Sequence, residues 1–202
     1  MMIQPRIACE PAATVVPAAH LQTQSKAQLR RFLLALRADL ATDVRLQQDG
    51  AIGRNLQSWL QANPVALLGV FWPIRAEPDL RQAYAAMAAA GIALALPVMT
   101  GTESPLQFAA WTPGAPLAFD RWGIATPTTI CLVAPQALLI PCVGFTLQRH
   151  RLGYGGGFYD RTLARSPRPQ AIGIAYASAC TAFEAGAHDI AMDVVITDAA
   201  PA

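Results

Sequence analysis

The chain has 202 residues, of which 53% are hydrophobic and only 14% charged, enough apolar material for one well-buried domain and too much for a disordered chain. A formal net charge of +2 provides no electrostatic footprint for nucleic acid, and no stretch reaches the roughly 18 to 20 apolar residues of a membrane span. Of the 15 basic residues only Lys26 is a lysine; the rest are arginines, suited to fixed contacts with phosphate or carboxylate.

Residues 1–22 contain Glu10 and several prolines but no apolar core of the signal-peptide kind, and they read as a flexible extension. Residues 23–202 then form a single α/β domain. Ser25 is placed to cap a helix running to about Ala38, with Leu29, Phe32, Leu33 and Leu36 on one face and Lys26 and Arg30 sharing another. A second helix is predicted over Asp43–Gln61, interrupted in composition by Gly50 and Gly53. The period then changes. Val65–Trp72 is a near-continuous apolar run ended by Pro73, as in a strand buried on both faces. A helix over Asp79–Ala90 closes at Gly91, and the next strand, Ile92–Leu96, is ended by Pro97. This rhythm is a βαβ unit. Short strands follow at Leu106–Trp111 and Ala115–Phe119, spaced as a hairpin around Pro113-Gly114. Further strands are predicted at Thr129–Val133, Leu138–Val143, Ala171–Ala175 and Val194–Thr197, with a short helix or loop at Cys180–Ala187.

Cysteines stand at 9, 131, 142 and 180, with no metal-ligand spacing. The last three lie in apolar or alanine-rich surroundings and are expected to be buried thiols, which suits a reducing cytoplasm.

The most informative segment is Arg151-Leu-Gly-Tyr-Gly-Gly-Gly-Phe-Tyr-Asp-Arg161, which precedes a helix-compatible run over Phe158–Ala164. Glycines allow backbone N–H groups to converge on a ligand, and the first turn of a helix adds unpaired donors. The segment is therefore either a phosphate cradle or a tight strand-to-helix turn. It is not a P-loop, since no Gly-Lys-Ser/Thr ends it. Nor is it a dinucleotide fingerprint, because it comes too late in the chain and the next acid well beyond it is Glu184.

Glu77 and Asp79 follow the first strand at its C-terminal end, where sites in parallel sheets gather. Asp79 is explained as a helix cap, while Glu77 precedes the cap and has no such explanation. His188-Asp189 and Asp193 read as a hydrogen-bonded turn before the last strand. There is no Gly-x-Ser-x-Gly elbow, so nothing advocates nucleophilic catalysis.

Taken together, these segments resemble the 5-formyltetrahydrofolate cyclo-ligase family, from about Lys26 to Asp198. The specific piece is Val143-Gly-Phe145 followed by the glycine motif. Lys26–Arg30, Glu77–Leu80, Leu96-Pro97-Val98, Trp122-Gly-Ile124 with Pro127, and His188-Asp189 with Asp193 support it in order and spacing. The resemblance implies a three-layer α/β/α sandwich with a mostly parallel sheet, of the NagB/RpiA/CoA-transferase type. It implies an ATP- and Mg²⁺-dependent conversion of 5-formyltetrahydrofolate, free or polyglutamylated, to 5,10-methenyltetrahydrofolate by a monomeric, cytoplasmic enzyme with no nucleic-acid or membrane partner. Lys26, Arg30, Arg151, Leu152, Gly153, Tyr154, Gly155, Gly156, Gly157, Tyr159 and Asp160 would hold the nucleotide. Arg151, Tyr159 and Asp160 would serve catalysis, and Asp160 would meet the metal. Glu77, Trp72, Phe145 and Tyr159 would line the folate side.

The chain departs from the family pattern at Thr146, where an aspartate is usual, at Gly156, where many members carry lysine, and at Ala177-Ser-Ala-Cys180, where a glutamine is usual. A nucleotide-binding homologue without the folate reaction is the alternative these departures leave open.

Overall fold

The computed structural model describes residues 25–120 and 123–200. The expected extension at 1–22, Cys9 and Trp122 lie outside the described residues. Among the described residues a seven-stranded sheet forms the centre, in the order β11-β10-β7-β1-β2-β3-β6. Its strands are β1 (Leu67–Gly69), β2 (Ala93–Val98), β3 (Gln107–Trp111), β6 (Leu132–Val133), β7 (Ala137–Pro141), β10 (Gln170–Ile174) and β11 (Val194–Ile196). Every pairing from β11 to β2 is parallel, and β2–β3 and β3–β6 are antiparallel.

The sheet is buried on both faces, and the two-residue period of each strand divides its side chains between two cores. Leu68, Leu94, Leu96, Leu139, Ile172 and Ile174 meet Ile52, Leu56 and Leu60 of helix α2 (Thr42–Ala62) and Tyr84 and Met87 of helix α3 (Arg81–Ala89). Ala95, Leu138, Ile140 and Ala171, which alternate with them, face Leu163 of the short helix α4 (Phe158–Leu163) together with Met192. The third layer is therefore thin, one short helix with surrounding loops. Two glycines permit the close approaches. A Cβ on Gly69 would stand 2.5 Å from Leu138 Cδ2, and one on Gly53 would stand 3.2 Å from Ala83 Cβ. The second contact explains why a glycine stands at 53, within α2.

Helix α1 (Lys26–Ala38) lies over the hairpin of β8 (Gly144–Phe145) and β9 (Arg151–Leu152). Its start is the expected one. Ser25 Oγ accepts from Gln28 N–H and Gln28 Oε1 accepts from Ser25 N–H, a reciprocal capping box.

Several expectations are corrected. The buried stripe of α1 is Leu29, Leu33 and Arg37, while Phe32 and Leu36 are 43% and 42% exposed. Strand β1 is shorter than Val65–Trp72: it ends at Gly69, and beyond it Val70 and Phe71 are buried as core-filling coil. Strand β2 continues through Pro97 to Val98. The carbonyl of Ala95 accepts from Val70 N–H on the β1 side. Residue 97 points the same way, beyond Gly69, the last paired residue of β1. The segments at 106–111 and 115–119 do not pair as a hairpin. β3 joins β2 and β6, and β4 (Leu117–Phe119) pairs with β5 (Ala125–Pro127). Helix α3 begins two residues after Asp79, whose Oδ1 accepts from Arg81 N–H at 3.1 Å. Cys142 is buried, but Cys180 is half-buried and Cys131 exposed. No described helix is long and apolar enough to cross a membrane.

Candidate active site

The site forms where three segments meet at the C-terminal ends of the parallel strands: helix α1, the turn after β1, and the glycine loop between β9 and α4. Leu29 and Leu33 of α1 pack on Val143 and Leu152, with Tyr154 and Phe183 against them. A Cβ on Gly144 would come within 2.6 Å of Leu33 Cδ1, so this glycine lets α1 press directly on β8. That seating carries the polar stripe of α1 to the loop. Arg30 Nε donates to the carbonyl of Gly153 at 2.6 Å. Lys26 Nζ pairs with Asp189 Oδ2 at 2.7 Å, and Asp189 also accepts from Gly186 N–H at 2.8 Å. Burial pushes the Asp189 carboxyl up, but these donors outweigh it and hold the group below its ordinary range.

The loop itself turns through Gly155 and Gly157 at φ 95° and 65°, which glycine adopts without strain. Among the described residues none accepts from the backbone N–H groups of residues 153–160. A Cβ on Gly153 would meet nothing within 4 Å. Arg161, at the end of the motif, donates from Nη2 to the carbonyls of Gly156 and Thr102 at 2.8 and 3.0 Å and braces the loop from below its tip.

Arg151 is placed differently from an open phosphate-binding cation. Its side chain is almost fully buried, donating from Nη1 to the carbonyl of Ile190 at 2.8 Å and from Nη2 to Asp160 Oδ1. The same Asp160 oxygen accepts from Ile190 N–H at 3.2 Å, and no described residue donates to its Oδ2. The pair thus ties the start of α4 to the segment that carries Asp189. Leu152 is core. Tyr159 is half-buried beside the second core, where burial and then the charge of Glu77 raise its hydroxyl pKa.

Glu77 is 3% exposed, the most buried acid of the site. Its Oε1 accepts from the Tyr154 hydroxyl at 2.8 Å and its Oε2 from Ile74 N–H at 3.0 Å. Burial raises its pKa against the opposing pull of those hydrogen bonds and of Arg37 and Arg75. The turn is strained, with Arg75 and Ala76 at φ 48° and 58°. Arg37 Nη2 donates to the Arg75 carbonyl at 2.9 Å and to the Tyr154 hydroxyl oxygen at 2.7 Å.

Of the folate-side candidates, Glu77 therefore touches the glycine loop directly. The ring contacts of Trp72 run to Trp111, edge-on at 6.0 Å, and to the Arg81 guanidinium at 5.2 Å. Phe145 is buried in the second core and bridges to Cys180. The departures from the family pattern are absorbed within the fold. Thr146 closes the β8–β9 turn, its Oγ1 accepting from His150 N–H at 3.1 Å. Ala177 opens a 3₁₀ turn and donates to Asp198 Oδ1 at 2.7 Å. Asp193, read as part of a turn, pairs with Arg168 and accepts from Ala171 N–H at 2.7 Å, which anchors β10.

The sequence reading did not single out Arg37. Arg37 lies eleven positions after Lys26 and so on nearly the same helical face, a signal present in the spacing. Asp189 lies in the expected hydrogen-bonded turn, exchanging bonds with Gly186, and the fold sets that turn beside Lys26.

A model of the 5-formyltetrahydrofolate cyclo-ligase family matches residues 22–198. The chain is 28% identical over 190 residues to a 5-formyltetrahydrofolate cyclo-ligase of Mycolicibacterium smegmatis, covering 88% of this chain and 95% of the relative. Its counterpart in Haemophilus influenzae is 24% identical over 170 residues, 81% of this chain and 91% of the relative. A third, from Mycoplasma pneumoniae, is 46% identical over 64 residues, 31% of this chain and 39% of the relative. Among solved structures, the 5,10-methenyltetrahydrofolate synthetase of Aquifex aeolicus superimposes with a TM-score of 0.74 at 27% identity, over 86% of this chain and 89% of that one. The Mycoplasma pneumoniae synthetase gives 0.72 at 25% identity, over 87% of this chain and all of that one. With the family pattern spanning nearly the whole described domain, and the solved synthetases sharing its fold, the chain belongs to the 5-formyltetrahydrofolate cyclo-ligase family.

Proposed function

We propose that the chain converts 5-formyltetrahydrofolate to 5,10-methenyltetrahydrofolate, driven by ATP and with release of ADP and phosphate. The observation that carries this reading is the convergence of α1 on the glycine loop, where Arg30 fixes the Gly153 carbonyl and Lys26 stands beside Asp189. ATP supplies the activation: a formyl oxygen leaves poorly, and once phosphorylated it departs as phosphate when folate N10 attacks the carbon.

The work left to the protein is alignment and charge compensation. The N–H groups of residues 153–160 fit phosphate oxygens, having no acceptor among the described residues. Lys26 exchanges Asp189 for phosphate at small cost, since a part-exposed ion pair is worth about 0–1 kcal/mol. Arg151 acts from behind, holding Asp160 in place. Among the described residues no three His, Cys, Asp or Glu side chains converge as a metal group. Mg²⁺ here would rest on Asp160, with Asp189 nearby through Ile190, and otherwise on phosphates and water, its characteristic mode. Glu77 and Tyr159 would order the folate. A monomeric, cytoplasmic enzyme acting on a small molecule belongs to the same proposal.

The test is the absorbance of methenyltetrahydrofolate, followed with and without ATP and Mg²⁺, for the wild type and Gly153→Ala. Wild-type turnover should require ATP. In the folded protein a methyl on residue 153 meets open space, so stability should stay within about 0.5 kcal/mol. Against bound phosphate the same methyl overpacks by about 1–3 kcal/mol, which should raise the KM for ATP about five- to 150-fold. An unchanged KM would remove the loop from the nucleotide site, and ATP-independence of the wild type would end the reading.

A further inference from the structure

We infer that Arg37 is a positioning residue that couples the nucleotide-side glycine loop to the acidic pocket at Glu77, acting through the hydroxyl of Tyr154. The inference rests on the cyclo-ligase reading above and adds a residue to it.

Arg37 occupies a place that packing would assign to an apolar side chain. With Leu29 and Leu33 it completes the buried stripe of α1, and it is 6% exposed. An arginine there must be held by acceptors, because a guanidinium only donates. Its Nη2 serves two, the carbonyl of Arg75 at 2.9 Å and the hydroxyl oxygen of Tyr154 at 2.7 Å. With that oxygen accepting from Arg37, the Tyr154 proton goes to Glu77 Oε1, 2.8 Å away. The direction of the chain, Arg37 to Tyr154 to Glu77, follows from the donors available.

Two further observations point to function rather than fold. Arg37 Nε and Nη1 are buried with no hydrogen-bond partner among the described residues. Such an omission is costly, and a side chain kept only to satisfy the fold would be better served by a shorter or apolar one. The turn that Arg37 clasps is also strained, with non-glycine residues 75 and 76 both in the left-handed region. Strain of this kind persists where the surroundings impose it.

Tyr154 is the joint between the two halves. It sits between Gly153, whose carbonyl Arg30 holds, and Gly155, which takes a positive φ. Its ring lies 5.2 Å under the Arg75 guanidinium, and its hydroxyl joins Arg37 and Glu77. A ligand that seats against the loop moves the Tyr154 ring, and the ring carries Glu77 and the 74–77 turn with it. A ligand seated against Glu77 sets the loop in the same way. Coupling between two sites is reciprocal, so folate should tighten nucleotide and nucleotide should tighten folate.

The experiment measures binding of a non-hydrolysable ATP analogue with Mg²⁺ by calorimetry, in the absence and presence of 5-formyltetrahydrofolate. It uses the wild type, Arg37→Met, Tyr154→Phe and the double variant. Folate should tighten wild-type nucleotide binding by roughly 5- to 150-fold, the usual range of such coupling. Each single variant should bring that factor close to one, and the double variant should do no more than either single one, since both cut the same chain. Tyr154→Phe keeps the ring and loses only the hydroxyl, so it decides the matter if Arg37→Met fails to fold. Independent wild-type affinities, an unmoved coupling factor in folded Tyr154→Phe, or losses that multiply in the double variant would each overturn the inference. Wild-type turnover in the absorbance assay separates the two claims. Turnover with coupling intact in the variants overturns the role of Arg37 alone, and absence of turnover overturns the cyclo-ligase reading beneath it.

Discussion

Glu77 is buried among Tyr154, the Ile74 amide and the nearby Arg37, whereas Asp189 is partly exposed and pairs directly with Lys26. Burial pushes the first carboxyl up, and donors hold the second down. On the proposed reading the two sides of the site suit different tasks. Where a highly charged anion must enter and leave, a partly solvated ion pair exchanges partners with little loss. Where a neutral ring system must be oriented, a dry carboxylate with fixed donors keeps its geometry, and loses it only if the whole turn moves.

The largest effect expected on this comparison comes from Arg151→Met, which strikes the proposed nucleotide side at an almost fully buried cation. Breaking a buried pair by removing one partner costs about 3 kcal/mol, and Asp160 would keep only Ile190 N–H. For a domain of this size the melting temperature should fall by roughly 6–12 °C, and turnover should fall with it. A shift below about 2 °C in a thermal melt would mean that this pair is as exchangeable as Lys26–Asp189.

Glu77→Gln should have an intermediate effect, and one whose stability difference from the wild type depends on pH. A carboxyl whose folded pKa is raised stabilises the fold while protonated, and that contribution is lost as pH rises from the ordinary value of 4.5 through the raised one. The isosteric amide stays uncharged throughout. The variant should therefore gain stability relative to the wild type as pH rises across that window. Urea titrations at several pH values check this, and a pH-independent difference would show that burial does not govern Glu77. Steady-state kinetics should show the loss of activity in kcat/KM for folate, with nucleotide affinity little changed.

Lys26→Ala should have the smallest effect on the fold. The pair is exposed enough to be worth about 0–1 kcal/mol. Because the folded pKa of Asp189 is lowered, its contribution is present above the ordinary value of 3.8 and lost as pH falls through the lower folded one. The stability difference should therefore vanish in acid, while the KM for ATP rises at neutral pH. A KM equal to the wild type would make Lys26 a surface residue with a partner.

Much of the domain was legible in the chain. The helix cap at Ser25, the apolar runs of β1, β7 and β10 and the glycine motif are local or periodic, and the structure contains each near its expected place. Local signals failed where burial continues past the end of a strand, as at Phe71, and where a short strand had two possible partners, as at β4. Phe32 and Leu36 looked like core because hydrophobicity was counted without knowing which side of α1 meets the hairpin.

The amino-acid sequence by itself determined the βαβ rhythm, the position of the glycine loop, and the resemblance that names the family. These depend on neighbours a few residues apart and on backbone preferences that travel with each residue. Only the tertiary structure decided that Arg151 is a buried partner of Asp160, that Asp189 stands beside Lys26, and that Arg37 reaches Tyr154 and, through it, Glu77. Those contacts join residues as far as 163 positions apart. They arise because both faces of the sheet must be buried, and that requirement brings α1 and the loops at the strand ends together.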